Sequence, residues 1–352
     1  MCGNNEHHEH AVIELPNSMI TRRAALRLGG VGLGAALLAA CGSKSLISST
    51  SDVSTSMASA TTAAEATTTS VASQVSALTV PDAFAAFADT VKVTREGKWW
   101  MVESDGMPAH NMMVGITSWQ QQVPTSQPYV GSNAWSIPAE PVISKSPVSA
   151  KTSLYRGAIA LAVNGVPIFN ALNNRGDDAF LYGELDKWGG HAGRADDYHY
   201  HIAPLHLQKQ AGANMPIAYA LDGFPIYGES EPDGSKVAAL DEFNGHYAED
   251  GSYHYHGTRT YPYINGGLRG VITVSGDQID PQPTTKPFRE ALQPLKGAVI
   301  TSFETPATNS YRLGYTVDGA AAEVAYVVSA SSVAFTFTDA SGATRRETYA
   351  RR

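Results

Sequence analysis

The sequence predicts a mainly β protein: a duplicated antiparallel β-rich domain with pseudo-twofold halves, followed by a small C-terminal β module. Three observations carry that expectation. Short apolar runs are broken by Asn-Gly, Asp-Gly and Pro, the punctuation of strands joined by tight turns. The middle of the chain repeats itself, so one structural unit is used twice. Beyond about residue 296 apolar and polar residues alternate with period two, as a strand with one buried face requires.

At 352 residues the chain can hold one large domain or two smaller ones. Its formal net charge of −8 argues against a nucleic-acid partner, because neutralising phosphates needs a basic surface. The N-terminus shows the first recognisable part. Arg22-Arg23 precedes a weakly apolar, Gly- and Ala-rich run from Ala24 to Ala40, and Cys41-Gly42-Ser43 follows. These are the parts of a signal peptide, over residues 1–41, and the run is too short and Gly-rich for a stable membrane span. Leu38-Ala39-Ala40-Cys41 resembles a bacterial lipobox, which makes Cys41 the lipidation site, and Arg22-Arg23 resembles a twin-arginine export signal. The expectation is an exported protein, lipid-anchored to the cell envelope on its periplasmic face or at the cell surface. Its partner is then the membrane, reached through the lipid. Of the two cysteines, Cys2 and Cys41, only the second survives cleavage, so no internal disulfide is available and core burial must hold the fold.

Residues 42–78 are almost wholly Ser, Thr, Ala and Val, a composition that buries too little to offset ordering entropy and reads as a disordered linker. The main domain is expected over 79–285. It opens with a short helix around Pro81 to Thr90, then the strand-like runs Val91–Thr94 and Trp99–Val102. Asn164-Gly165 between two apolar runs predicts a tight hairpin, because both turn residues tolerate positive φ, and Pro167 then belongs on an edge or at a bulge. The Pro-rich stretch 275–287 reads as a linker into a small β module over 286–352, with strands at Tyr311–Val317 and Val333–Thr338. That module has no His and no Cys.

The duplication spans 159–201 and 217–256. Ile159–Phe169 matches Ile217–Tyr227, and Leu185-Asp186-Lys187-Trp188-Gly189-Gly190-His191 matches Leu240-Asp241-Glu242-Phe243-Asn244-Gly245-His246. Each copy then reads Tyr-His-Tyr-His, at 198–201 and 253–256. These two words, with Asp222-Gly223-Phe224-Pro225-Ile226-Tyr227-Gly228 and Gly106-Met107-Pro108-Ala109-His110, resemble the YHYH-domain family of exported bacterial proteins over roughly residues 90–275. The resemblance implies export. It implies no reaction, so any chemistry must come from the residues.

In a strand His199 and His201 point to one face while Tyr198 and Tyr200 point to the other. Two imidazoles on one face suit Zn, Cu, Fe, Mn or Ni, and His191 adds a third; His246, His254 and His256 repeat the set. This predicts one metal site per half or one shared site, with Asp196, Asp197 or Asp250 as a candidate fourth ligand. Three protein ligands with an open position would be catalytic in style, and a full set structural. His110 is a candidate extra ligand, and His206 is read as structural. With no free thiol, iron–sulfur and thiolate-copper chemistry are excluded. No nucleophile elbow, phosphate-cradling loop or dinucleotide fingerprint is present. Two other readings remain. One is a metal-free extracellular binding or adhesion module in which the YHYH motifs are structural. The other is a metal-free hydrolase using Asp186 and Asp241 as acid and base. Only the metal reading requires the imidazoles to converge.

Overall fold

The computed structural model describes residues 79–285 and 287–351. The expected export signal with Arg22 and Arg23, the lipidation site Cys41 and the linker 42–78 lie outside the described residues. No helix among the described residues is long and apolar enough to cross a membrane.

The first element is a single helical turn, α1 (Val80–Phe84). Pro81 sits in its first turn and the Asp82 carboxylate accepts the Thr79 amide at 2.9 Å, so the helix start is satisfied locally. It is shorter than the expected helix because Ala85–Phe87 tightens into a 3-10 turn, which Thr90 and Val91 close with amides donated to Phe87. A three-stranded antiparallel sheet follows, made of β1 (Lys92–Glu96), β2 (Trp99–Glu103) and β3 (Trp135–Pro138). After β4 (Ile143–Ser149) come the eight strands of the central sheet. They are β5 (Ala158–Ala162), β6 (Pro167–Phe169), β7 (Gly190–Ala192), β8 (Tyr198–Tyr200), β9 (Ala218–Ala220), β10 (Pro225–Tyr227), β11 (Gly245–Tyr247) and β12 (Tyr253–His256). Next, β13 (Gly267–Gly270) pairs back onto β4, and β14 (Thr273–Ser275) and β15 (Gln278–Asp280) form a hairpin that runs into the expected linker. The chain ends in a five-stranded meander: β16 (Ala298–Ala307), β17 (Ser310–Val317), β18 (Ala320–Val328), β19 (Ser332–Thr338) and β20 (Thr344–Ala350).

The spatial order of the central sheet is β11-β12-β10-β9-β5-β6-β8-β7. At its centre β5 and β9 are buried along their whole length, which explains their unbroken apolar composition. The sheet is mixed rather than purely antiparallel, because β6 pairs β8 and β10 pairs β12 in parallel. In each case the chain leaves the first strand through a long connection, lays down the edge strand and returns between the two, a path that a hairpin does not offer.

The hairpin expected at Asn164-Gly165 joins β5 to β6, with Gly165 at φ +78° and its amide donating to Ala162 at 2.8 Å, and one expectation beside it is corrected. Pro167 lies neither on an edge strand nor at a bulge. It opens an internal strand, a position where no ladder donor is needed.

One hydrophobic core runs from Phe84 through the central sheet to Tyr326 and Phe335 of the meander, and all described residues fall in one compact unit. The meander is tied in by backbone bonds between Ile116 and Ile300 (3.1 Å) and between Gly115 and Ile300 (2.9 Å). A buried ion pair, Arg289 with Asp196 at 3.2 Å, adds a polar anchor.

Candidate metal centres

Each Tyr-His-Tyr-His word sends its tyrosines into the core. The Tyr198 hydroxyl donates to Asp186 at 2.8 Å, and the Tyr253 hydroxyl donates to Asp241 at the same distance. Those carboxylates also hold the turn before the edge strand. Asp186 accepts the amides of Trp188 (2.8 Å) and Gly190 (3.2 Å), and Asp241 those of Phe243 (2.9 Å) and Gly245 (3.1 Å). Gly190 and Gly245 are required there, because a Cβ would fall on the hydroxyl of Tyr198 or Tyr253. Asp186 and Asp241 are therefore spent on turn and tyrosine, which leaves no free acid–base pair.

The opposite face gathers the histidines. Edge strand β7 sets His191 directly across from His199 on β8, and β11 sets His246 across from His254 on β12. His201 and His256 close each trio one repeat further along. In the first centre the three Nε2 atoms form a nearly equilateral triangle: His191–His199 3.1 Å, His199–His201 3.2 Å and His201–His191 3.1 Å. In the second, His246 and His256 Nε2 are 3.2 Å apart, and Glu231 faces all three rings, at 3.0 Å from His246, 3.1 Å from His254 and 3.4 Å from His256. The six predicted histidines thus come together as two trios, and one trio has a carboxylate.

Tautomers follow from the outer partners. A backbone carbonyl only accepts, so His199 Nδ1 donates to Asp197 O (3.1 Å), His201 Nδ1 to Asn170 O (2.5 Å) and His256 Nδ1 to Gly228 O (2.8 Å). Their neutral forms then carry bare Nε2 lone pairs, those of His199 and His201 facing each other at 3.2 Å and that of His256 facing His246 at 3.2 Å. Burial, reinforced by the neighbouring rings, pushes His201 down to about 3 and His191 well below the usual histidine range, so both stay neutral near pH 7. At the other centre burial likewise lowers His254 and His256, with the Glu231 charge acting against it. Phe169 stacks on His199 with ring centres 3.9 Å apart, and Tyr227 meets His254 edge-on at 5.3 Å.

None of the carboxylates expected as fourth ligand takes that place. Asp196 is paired with Arg289, Asp197 lies on the Nδ1 side of His199 at 3.5 Å, and Asp250 is an exposed turn residue bonded to Ser252. Glu231 was missed because nothing in Glu229-Ser230-Glu231 marks it as a donor; only its place at the end of a matched hairpin could have. His110 and His206 are outside both trios. His110 Nε2 bonds the Tyr200 hydroxyl at 2.9 Å, its ring stacks on Trp188 at 4.7 Å, and His206 meets it at 5.1 Å.

The described residues thus form a fold of short strands that carries two histidine trios on one sheet. The family model described as YHYH protein matches residues 134–238, which bears out the resemblance over a narrower span than the words suggested. The match takes in the first trio and Glu231 and ends before His246. No curated protein and no solved structure matches the chain.

Proposed function

We propose that the chain is an exported envelope protein, anchored by lipid at Cys41, that holds two transition-metal ions through His191, His199 and His201 and through His246, His254, His256 and Glu231. Its two halves derive from one ancestral unit and are related by a pseudo-twofold axis between β5 and β9. The pairing of those strands supports the axis. Leu161 faces its counterpart Tyr219, and Ala160 and Ala162 face Ala220 and Ala218, each the counterpart of the other.

One observation carries the metal reading: the Nε2 atoms of His191, His199 and His201 converge to 3.1–3.2 Å, with the Nδ1 atoms of His199 and His201 engaged behind them by backbone carbonyls. The His199 and His201 lone pairs face each other at 3.2 Å with no proton between them in the neutral rings, and a cation removes that repulsion. Nε2 atoms at this spacing would be able to hold one ion together at the usual His distance of about 2.0–2.1 Å. An all-imidazole or imidazole–carboxylate set without thiolate suits Zn, Cu, Fe, Mn or Ni. Backbone carbonyls that orient the rings from behind are the outer partners such ligands need.

Elemental analysis of the purified untagged chain tests this. Two equivalents of one transition metal are expected, falling to one in His254→Ala/His256→Ala. No metal retained, none taken up on addition and an unchanged thermal midpoint would sink the reading.

A further inference from the structure

The two trios differ at one turn position. After β10 the Glu231 amide donates to Ser235 O (3.0 Å) and the Gly234 amide to Glu231 O (2.9 Å). After β6 the Asn173 amide donates to Asp177 O (2.8 Å) and the Gly176 amide to Asn173 O (2.9 Å). These are the same turn, and both sit inside an isolated bridge, Ser230 with Lys236 and Leu172 with Asp178. Where one turn aims a carboxylate at three imidazoles, the other carries a neutral carboxamide that is tied elsewhere. Asn173 accepts the amides of Arg175 (2.9 Å) and Asp177 (3.1 Å) and donates to Glu184 (3.0 Å). The trio of His191, His199 and His201 accordingly has no carboxylate in its donor set.

All three of its rings line a cavity of about 740 Å³. The charges in that wall are uneven in their freedom. Glu184 is held by Arg175 and Asn173, Asp277 accepts the amides of Leu154 and Tyr155, and Asp197 accepts the Ala195 amide behind His199. Arg194 is exposed and its side chain has no hydrogen bond or ion pair among the described residues, and the Arg156 side chain donates only to Gly276 O, at 3.5 Å.

We propose that the His191–His199–His201 centre is the working one: its remaining coordination position takes an oxyanion, a carboxylate or phosphate group of a small ligand held in the cavity beside Arg194 and Arg156. The centre containing Glu231 is its closed, structural counterpart. The proposal rests on the metal reading above. A divalent ion on three neutral imidazoles keeps its full charge, whereas Glu231 cancels one unit at the other centre, so an anion gains more at the first. Arg194 and Arg156, in the same cavity wall and in no ion pair among the described residues, supply charge-assisted donors.

The full chain loaded with Co(II) reads this directly, because visible Co(II) bands respond to a change of ligand. Inorganic phosphate and acetate are titrated separately, and the tighter of the two names the ligand's group. Expected are two Co(II) per chain and a saturable band shift. Asn173→Glu is expected to abolish the shift while keeping both ions, and Arg194→Ala to weaken apparent anion affinity about tenfold. Two bound Co(II) with no response to either anion, or the same response in Asn173→Glu, overturns this inference and leaves the metal reading standing. Failure to bind Co(II) at all overturns both. If Asn173→Glu does not fold, Glu231→Gln decides: the shift must persist there, and its loss overturns the proposal.

Discussion

At the residue scale the Tyr-His-Tyr-His word works through strand alternation, with phenols turned to one face to hold carboxylates and buried imidazoles turned to the other, where each trio converges. The two copies diverge where Tyr200 receives the Asn164 side-chain amide at 3.1 Å while Tyr255 donates to Asp222 at 2.5 Å. Burial raises the Asp222 carboxyl to about 6, although the Tyr255 hydroxyl and the Gly270 amide pull it down. A folded-state value above the unfolded one of about 4 means that the native state holds the proton more tightly. The stability this contributes is full below about pH 4 and is lost as pH rises towards 6. Asp222→Asn, which imitates Asn164, removes that loss. Relative to the parent, the variant is expected to gain about 2 kcal/mol in unfolding free energy between pH 4 and pH 7. Urea titrations at the two pH values measure it, and a difference that does not change with pH would contradict the assignment.

At the element scale each histidine trio depends on a short hairpin, β7 with β8 or β11 with β12, whose entering turn is held by one aspartate. Asp186 is 5% exposed and accepts the Met113 amide (2.8 Å) besides its turn and tyrosine bonds, whereas Asp241 is exposed and lacks that fourth donor. Asp186→Ala is therefore expected to cost about 3–4 kcal/mol and Asp241→Ala about 1–2 kcal/mol, since buried donors left unpaired cost more than wet ones. Equal costs in denaturant titration would show that burial does not set the difference. Much of this level was legible in the sequence. Asp-Gly, Asn-Gly and period-two runs placed the hairpins at Asn164-Gly165 and Asp222-Gly223 and two strands of the meander, Tyr311–Val317 and Val333–Thr338, because turn chemistry and alternation are local. The parallel pairings β6–β8 and β10–β12 were not legible, since they depend on where a long connection returns. Pro167 misled for the same reason: opening a strand and lying on an edge look alike until the neighbours are known.

At the scale of the whole molecule, the candidate site was legible in its histidines and not in its carboxylate. A repeated word with a matched Gly-His before it is a sequence signal, while Glu231 reaches the second trio only through a turn shared with Asn173. The expected C-terminal module shares its core with the rest, through Ile300, Tyr326 and the Arg289–Asp196 pair. Membrane attachment, as proposed, acts through one sulfur, so Cys41→Ser is expected to move the protein from the membrane to the soluble fraction with its metal content unchanged. Persistent membrane association would remove the lipid anchor from the account. The central claim, that each trio holds an ion, is tested most directly by anomalous X-ray diffraction from crystals of the metal-loaded chain. The expected result is two peaks, each about 2.0–2.1 Å from three imidazole Nε2 atoms and only the second also touching Glu231. Peaks elsewhere, or none at a chain loading shown to be complete, would contradict it.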